Sequence, residues 1–102
     1  MKIVYSKNNI LIRLTNERWS HIIENHDELA GRIDDVLNTI AEPDIIVKGI
    51  KQELLAARKV NKKWIVVVYK EKNNTDGFVI TAFMTSRINY LLKKEIIWKK
   101  QS

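Results

Sequence analysis

At Pro43, the only proline in 102 residues, the hydrophobic period of the chain changes. Just before it, apolar residues recur every three or four positions, the spacing of one helix face; after it they run together or alternate, as strands do. Proline lacks the amide hydrogen and clashes with the preceding turn, so a helix arriving at Pro43 stops there. With only three glycines besides, the chain has few places to break, and its loops are expected to be short.

Upstream of Pro43 the spacing predicts two helices. The first runs from about Glu17 to Asn25, capped by Thr15 or Asn16, with Glu17 in the first turn where the helix dipole favours an acid. Trp19, Ile22, Ile23 and His26 fall on one face, and His21 lies off it. The second runs from about Asp27 or Glu28 to Ala41, with Leu29, Ile33, Val36, Leu37 and Ile40 as its stripe. Ahead of both, Lys2–Tyr5 and Ile10–Leu14 flank the turn-forming Ser6-Lys7-Asn8-Asn9 and predict a hairpin.

Downstream the expected strands are Asp44–Lys48, Leu54–Val60, Lys63–Lys70, Phe78–Thr85 and Glu95–Lys99. The third of these, apolar on both faces, is expected at the centre of the sheet. A tight turn is expected near Asn61-Lys62, and a hairpin turn at Asn73–Gly77, where Asp-Gly supplies a positive φ. Ile88, Leu91 and Leu92 read as a helical turn. The order predicts an α+β fold: an N-terminal hairpin and two helices packed on an antiparallel sheet of about four to five strands, in a single domain over residues 1–102. A chain of this length buries roughly 60–70% of its unfolded surface, enough for one core.

The charge is divided unevenly. Residues 1–50 hold six Lys and Arg against eight Asp and Glu, a net −2; residues 51–102 hold twelve against four, a net +8. The basic half is the strand-rich half, which points to an anionic partner. There is no cysteine, so disulfides, thiolate zinc sites and cysteine nucleophiles are excluded. The opening segment MKIVYSKNNILIRL lacks the uninterrupted apolar run of a secretory signal, and no apolar run approaches the ~18–20 residues of a membrane span. A cytoplasmic protein without a membrane partner is expected.

Two histidines, His21 and His26, are the natural acid–base candidates near neutral pH. Five positions separate them by roughly 140° on a continuous helix, so they converge only if the helix ends near Asn25. The alternatives are packing of His26 on Trp19 and Ile22, and solvation of His21 between Glu17 and Glu24. A zinc site is disfavoured, since HExxH-type sites need an i, i+4 pair and a third ligand. Arg58 and Lys59 are adjacent on a strand, so one points toward the helices and the other away. Arg58 lies among small alanines, where its planar fork suits a phosphate; the alternative is an exposed strand charge. Thr81 shares a face with Phe83 and Thr85, opposite Phe78, Ile80 and Ala82, and its hydroxyl can serve either cross-strand pairing or a phosphate oxygen. Lys59, Lys70, Ser86 and Arg87 are expected to hold a substrate. Lys93, Lys94, Lys99 and Lys100 with Tyr90 and Trp98 make a basic-aromatic tail of the kind that meets nucleic acid or simply faces solvent.

Read in order, LTNERWSHIIENHDEL, TIAEPDII, a basic strand, WIVVVYK and GFVITAFMTSR resemble the barnase–EndoU–colicin–RelE-like (BECR) ribonucleases, most closely their phage-derived branch. The resemblance spans about residues 14–87. It implies a small metal-independent endoribonuclease, a toxin or phage-defence effector acting on tRNA or mRNA. It also implies a cognate antitoxin or immunity protein as partner, and no cofactor. Carried over by position, His21 and His26 match the family's helix histidines, Thr81 its ITAF threonine, and Arg58 a basic strand residue. RNA brings its own nucleophile in the 2′-hydroxyl, so such an enzyme needs only an acid, a base and cations for the phosphorane-like transition state. The alternative is a catalytically inactive RNA- or protein-binding module of the same fold.

Overall fold

The structure is a computed structural model and describes residues 1–101. Strands β1 (Lys2–Tyr5) and β2 (Leu11–Leu14) form the expected hairpin, with Asn9 at φ 61° in its turn. Helix α1 (Asn16–Asn25) follows, and Thr15 is its cap: the Thr15 Oγ1 accepts from the Arg18 N–H at 3.0 Å. Losing such a cap costs about 1 kcal/mol. Thr15→Ala is therefore expected to lower the melting temperature by about 4–8 °C, read by thermal denaturation; an unchanged value would remove the cap from the account.

The second helix is shorter than its apolar stripe predicts. Asp27–Leu29 form a single 3-10 turn, and α2 begins only at Ile33 and ends at Ala41. Gly31, at φ +79°, breaks the helical path between them. The 3-10 turn still buries Leu29 completely, so the stripe marks the core correctly while the backbone takes two segments to deliver it. Val36 and Ile40 of α2 are fully buried, and Pro43 follows one residue past the cap.

Strands β3 (Ile45–Lys48), β4 (Leu54–Val60), β5 (Lys63–Glu71), β6 (Gly77–Thr85) and β7 (Ile96–Lys99) complete the fold, the last preceded by a 3-10 turn at Leu91–Lys93. The sheet has seven strands in the order β1-β2-β6-β5-β4-β3-β7. It exceeds the expected four to five because the N-terminal hairpin is part of it. It is also mixed rather than antiparallel, since β2 joins β6 in parallel through Ile12–Gly77 and Arg13–Phe78. Strand β5 is central, as its two-sided apolar character predicts. The β4–β5 turn is tight, with Asn61 at φ 59°. The Asn73–Gly77 turn differs from expectation: Gly77 has no positive φ and instead opens β6, where a side chain would strike the Lys70 carbonyl oxygen and Ile12.

Both helices pack on one face of the sheet, burying Ile12, Leu14, Ile22, Val36, Ile40, Ala56, Ile65, Val67 and Ala82. At roughly 1.5–3 kcal/mol for each large aliphatic side chain taken out of water, this is the main stabilising layer. A second, smaller core lies on the far face, where Leu91 and Ile88 of the chain between β6 and β7 cover Ile45, Val47, Leu55, Ala57 and Val66. The sheet is curled around α2. Although β1 and β7 end the strand order, Lys7 of the first turn lies 5.0 Å over the Trp98 ring of β7, and its Nζ is 3.4 Å from Glu42 at the end of α2. No helix among the described residues is long and apolar enough to cross a membrane.

Candidate functional site

Strand β6 has a partner on its outer side only at its beginning. Beyond Phe78 no strand pairs there among the described residues, and α1 and the 3-10 turn after it lie against the strand instead. His26 stands at that edge. It is the C-cap of α1 at φ −137°, ψ 69°, so its ring leaves the helical track. The ring reaches Phe83, with centroids 6.1 Å apart. Its Nδ1 lies 3.6 Å from Glu28 Oε2, an ion-pair distance when the imidazole is protonated but too long for a hydrogen bond. The same carboxylate oxygen accepts from the Met84 N–H at 3.4 Å. Glu28 thus stands between the histidine and the open strand edge.

Phe83 faces away from the main helix core, in a row with Val66 and Ala57. Thr81 lies on the same face, two residues and about 7 Å along the strand, in the row Leu55–Val68–Thr81. Its hydroxyl makes no hydrogen bond among the described residues, whereas that of Thr85 is engaged with the backbone of Arg87 at 3.0 and 3.2 Å. Lys59 and Lys70, both exposed, share this far face through their pairing with Trp64 and Phe78. His26, Thr81, Lys59 and Lys70 are therefore on one side of the sheet or at its rim.

Four expected residues, Arg58, His21, Ser86 and Arg87, do not join them. Arg58 is half-buried on the helix face, in the row Arg58–Ile65–Met84, and strand alternation puts it across the sheet from Thr81. The two cannot bind one phosphate together. His21 is 59% exposed on the solvent side of α1, its Nδ1 4.0 Å from Glu24 Oε2. Its carbonyl accepts from Asn25 Nδ2 at 3.0 Å. Ser86 and Arg87 are exposed in the turn after β6.

Glu28 and Phe83 are the residues that sequence reasoning passed over. The His26-x-Glu28 spacing at a helix end was the available signal, but only the tertiary approach to β6 gives it meaning. Phe78 is also relocated. A bulge in the β5–β6 ladder after Val68 leaves Ile80 without a partner, so Phe78 shares the Thr81 face rather than opposing it. The Tyr69 phenol, fully buried on the helix side, is pushed well above its ordinary pKa by desolvation and secondarily by the Glu71 charge, and stays neutral. Tyr90 is raised more simply, by partial burial. A cleft of about 580 Å³ lies between the β6–β7 connection and the sheet, lined mainly by apolar Ile45, Trp64, Ile88 and Leu92, and holds no histidine. Among the described residues no three His, Cys, Asp or Glu side chains gather in a metal-ligand group.

The electrostatics are one-sided. Among the described residues the acid–base contacts within 4.0 Å use Lys7, Arg13 and Arg32, and His21 and His26 when protonated, all from residues 1–50. None of the twelve Lys and Arg residues beyond residue 50 is paired among the described residues. Comparison with protein-family models, with curated proteins and with solved structures found no match.

Proposed function

We propose that this chain is a metal-independent endoribonuclease domain that takes single-stranded or looped RNA on the far face of its sheet. The observation that carries the reading is the imidazole of His26 next to Glu28 at the open edge of β6, on the strand whose Thr81 hydroxyl makes no hydrogen bond among the described residues, with the unpaired cations of the basic half on the same sheet. In the proposed reaction His26 takes the proton of a ribose 2′-hydroxyl. The freed oxygen attacks the adjacent phosphorus, and the bond to the 5′ oxygen breaks, that oxygen taking a proton from solvent. The products are a 2′,3′-cyclic phosphate and a 5′-hydroxyl. Thr81 donates to a phosphate oxygen, and Lys70 and Lys59 offset the charge that builds on it.

The resemblance to the phage-derived BECR ribonucleases supports the same reading and extends it to a toxin or phage-defence effector on tRNA or mRNA. Such an effector would be restrained in the cytoplasm by an antitoxin or immunity protein. A second reading, an RNA-binding module without turnover, is favoured by one observation: only one imidazole meets the far face, with His21 on the solvent side of α1 and Arg58 across the sheet.

Total RNA incubated with the wild-type protein in EDTA separates the two. Fragmentation is the expected result. Intact RNA with salt-sensitive binding selects the module instead, and intact RNA with no binding overturns both.

A further inference from the structure

The β6 bulge has a consequence beyond the histidine. By turning Phe78 onto the Thr81 face, it lines up Thr85, Phe83, Thr81 and Phe78 along one strand, and leaves Phe78 36% exposed. Lys70 flanks Phe78 on β5 and Arg13 flanks it on β2, each directly paired with it. Just past Phe78 the chain of β2 turns away into α1, and the strands part to leave a cleft of about 300 Å³ lined by Arg13, Thr15, Arg18, Phe78 and Val79. The two arginines differ. Arg13 is fixed by Asp76 through Nε and Nη2 at 2.9 and 2.8 Å, so its charge is already answered. Arg18 is exposed and makes no ion pair among the described residues.

We infer that this cleft is a nucleotide subsite for single-stranded RNA: a base stacks on Phe78, and Arg18 holds the phosphate beside it. The inference rests on the ribonuclease reading above and names where the strand lies on one side of the scissile bond. An exposed aromatic face on an open sheet is sequence-tolerant, because every base has a π-face, but it requires that base to be unstacked from its neighbours. The paired Arg13 shapes one wall of the cleft, and the unpaired Arg18 supplies the net positive charge that a phosphate needs. Strand β6 then runs as a track from the subsite at Phe78 to Thr81 and the His26 edge.

The test uses a fluorescein-labelled 2′-O-methyl oligoribonucleotide, which cannot be cleaved by 2′-hydroxyl attack, together with its abasic twin and a duplex of the same sequence. Phe78→Ala and Arg18→Gln are each expected to weaken binding of the single strand by about 5- to 100-fold. Removing the bases is expected to cost the wild type a similar factor and to cost Phe78→Ala almost nothing. Phe78→Leu, which keeps the apolar contact without the π-face, is expected to behave as the alanine variant does and guards against a folding defect. Wild-type affinity in all three variants, with ordinary RNA still cleaved, overturns the subsite and leaves the ribonuclease reading intact. Duplex bound as tightly as the single strand also overturns the subsite. A wild-type protein that neither binds nor cleaves RNA overturns both.

Discussion

Replacing Gly77 by valine is expected to lower the melting temperature by about 12 °C or more, the equivalent of roughly 3 kcal/mol in a domain of this size. Gly77 sits where three strands meet: it pairs with Glu71 of β5 on one side and Ile12 of β2 on the other. A Cβ there would press on the Lys70 carbonyl oxygen and stand 2.7 Å from Ile12 Cδ1 and 3.2 Å from the Glu71 Cα. Two of these neighbours are backbone and the third is a fully buried side chain, so none can yield cheaply. Gly31 is the contrast. It needs its positive φ but has nothing within 4 Å of a built Cβ, so Gly31→Ala is expected to cost only about 1 kcal/mol. Equal melting temperatures for Gly77→Val and the wild type would mean that the parallel β2–β6 junction is not formed as described.

His26→Ala is expected to reduce RNA cleavage by about 10²- to 10⁴-fold, the usual contribution of a positioned general base. Its half-exposed ring contributes little to the core, so the melting temperature should move far less than in Gly77→Val. The same substitution at His21 is expected to leave the rate near that of the wild type, because that ring points to solvent beside Glu24. Glu28→Gln is expected to lie between them, since its carboxylate, 3.6 Å from Nδ1, stabilises the imidazolium that forms when His26 takes the proton and does not touch the RNA. Equal loss in His21→Ala and His26→Ala would contradict the assignment of the work to one histidine.

Much of the fold was legible in the sequence because periodicity reports burial directly. The first helix, a cap at Thr15 or Asn16, the stop at Pro43 and the central place of β5 all follow from spacing and propensity, and the structure selects Thr15 as the cap. The fusion of the N-terminal hairpin with the sheet was not legible, since strand pairing across 60 residues depends on the space left by Gly77 and not on any local pattern. Nor was the break of the second helix at Gly31, whose apolar stripe continues through Leu29 as if the helix were whole.

The candidate site divides in the same way. Strand alternation correctly separated Arg58 from Lys59, but which of them faces the helices is set by packing, and Arg58 proves to be the one. The grouping of Thr81 against Phe78 failed because one unpaired residue, Ile80, shifts every side chain before it to the other face. The conditional convergence of the histidines depended on the helix ending near Asn25. It does end there, and the ring it releases meets Phe83 and Glu28 rather than His21.

The most direct test of 2′-hydroxyl attack at the His26 edge compares two single-stranded RNAs of one sequence, one ordinary and one fully 2′-O-methylated, incubated with wild-type protein in EDTA. The predicted result is cleavage of the ordinary strand to fragments ending in 2′,3′-cyclic phosphate, with the methylated strand intact. Cleavage of both strands alike, or of neither, contradicts it.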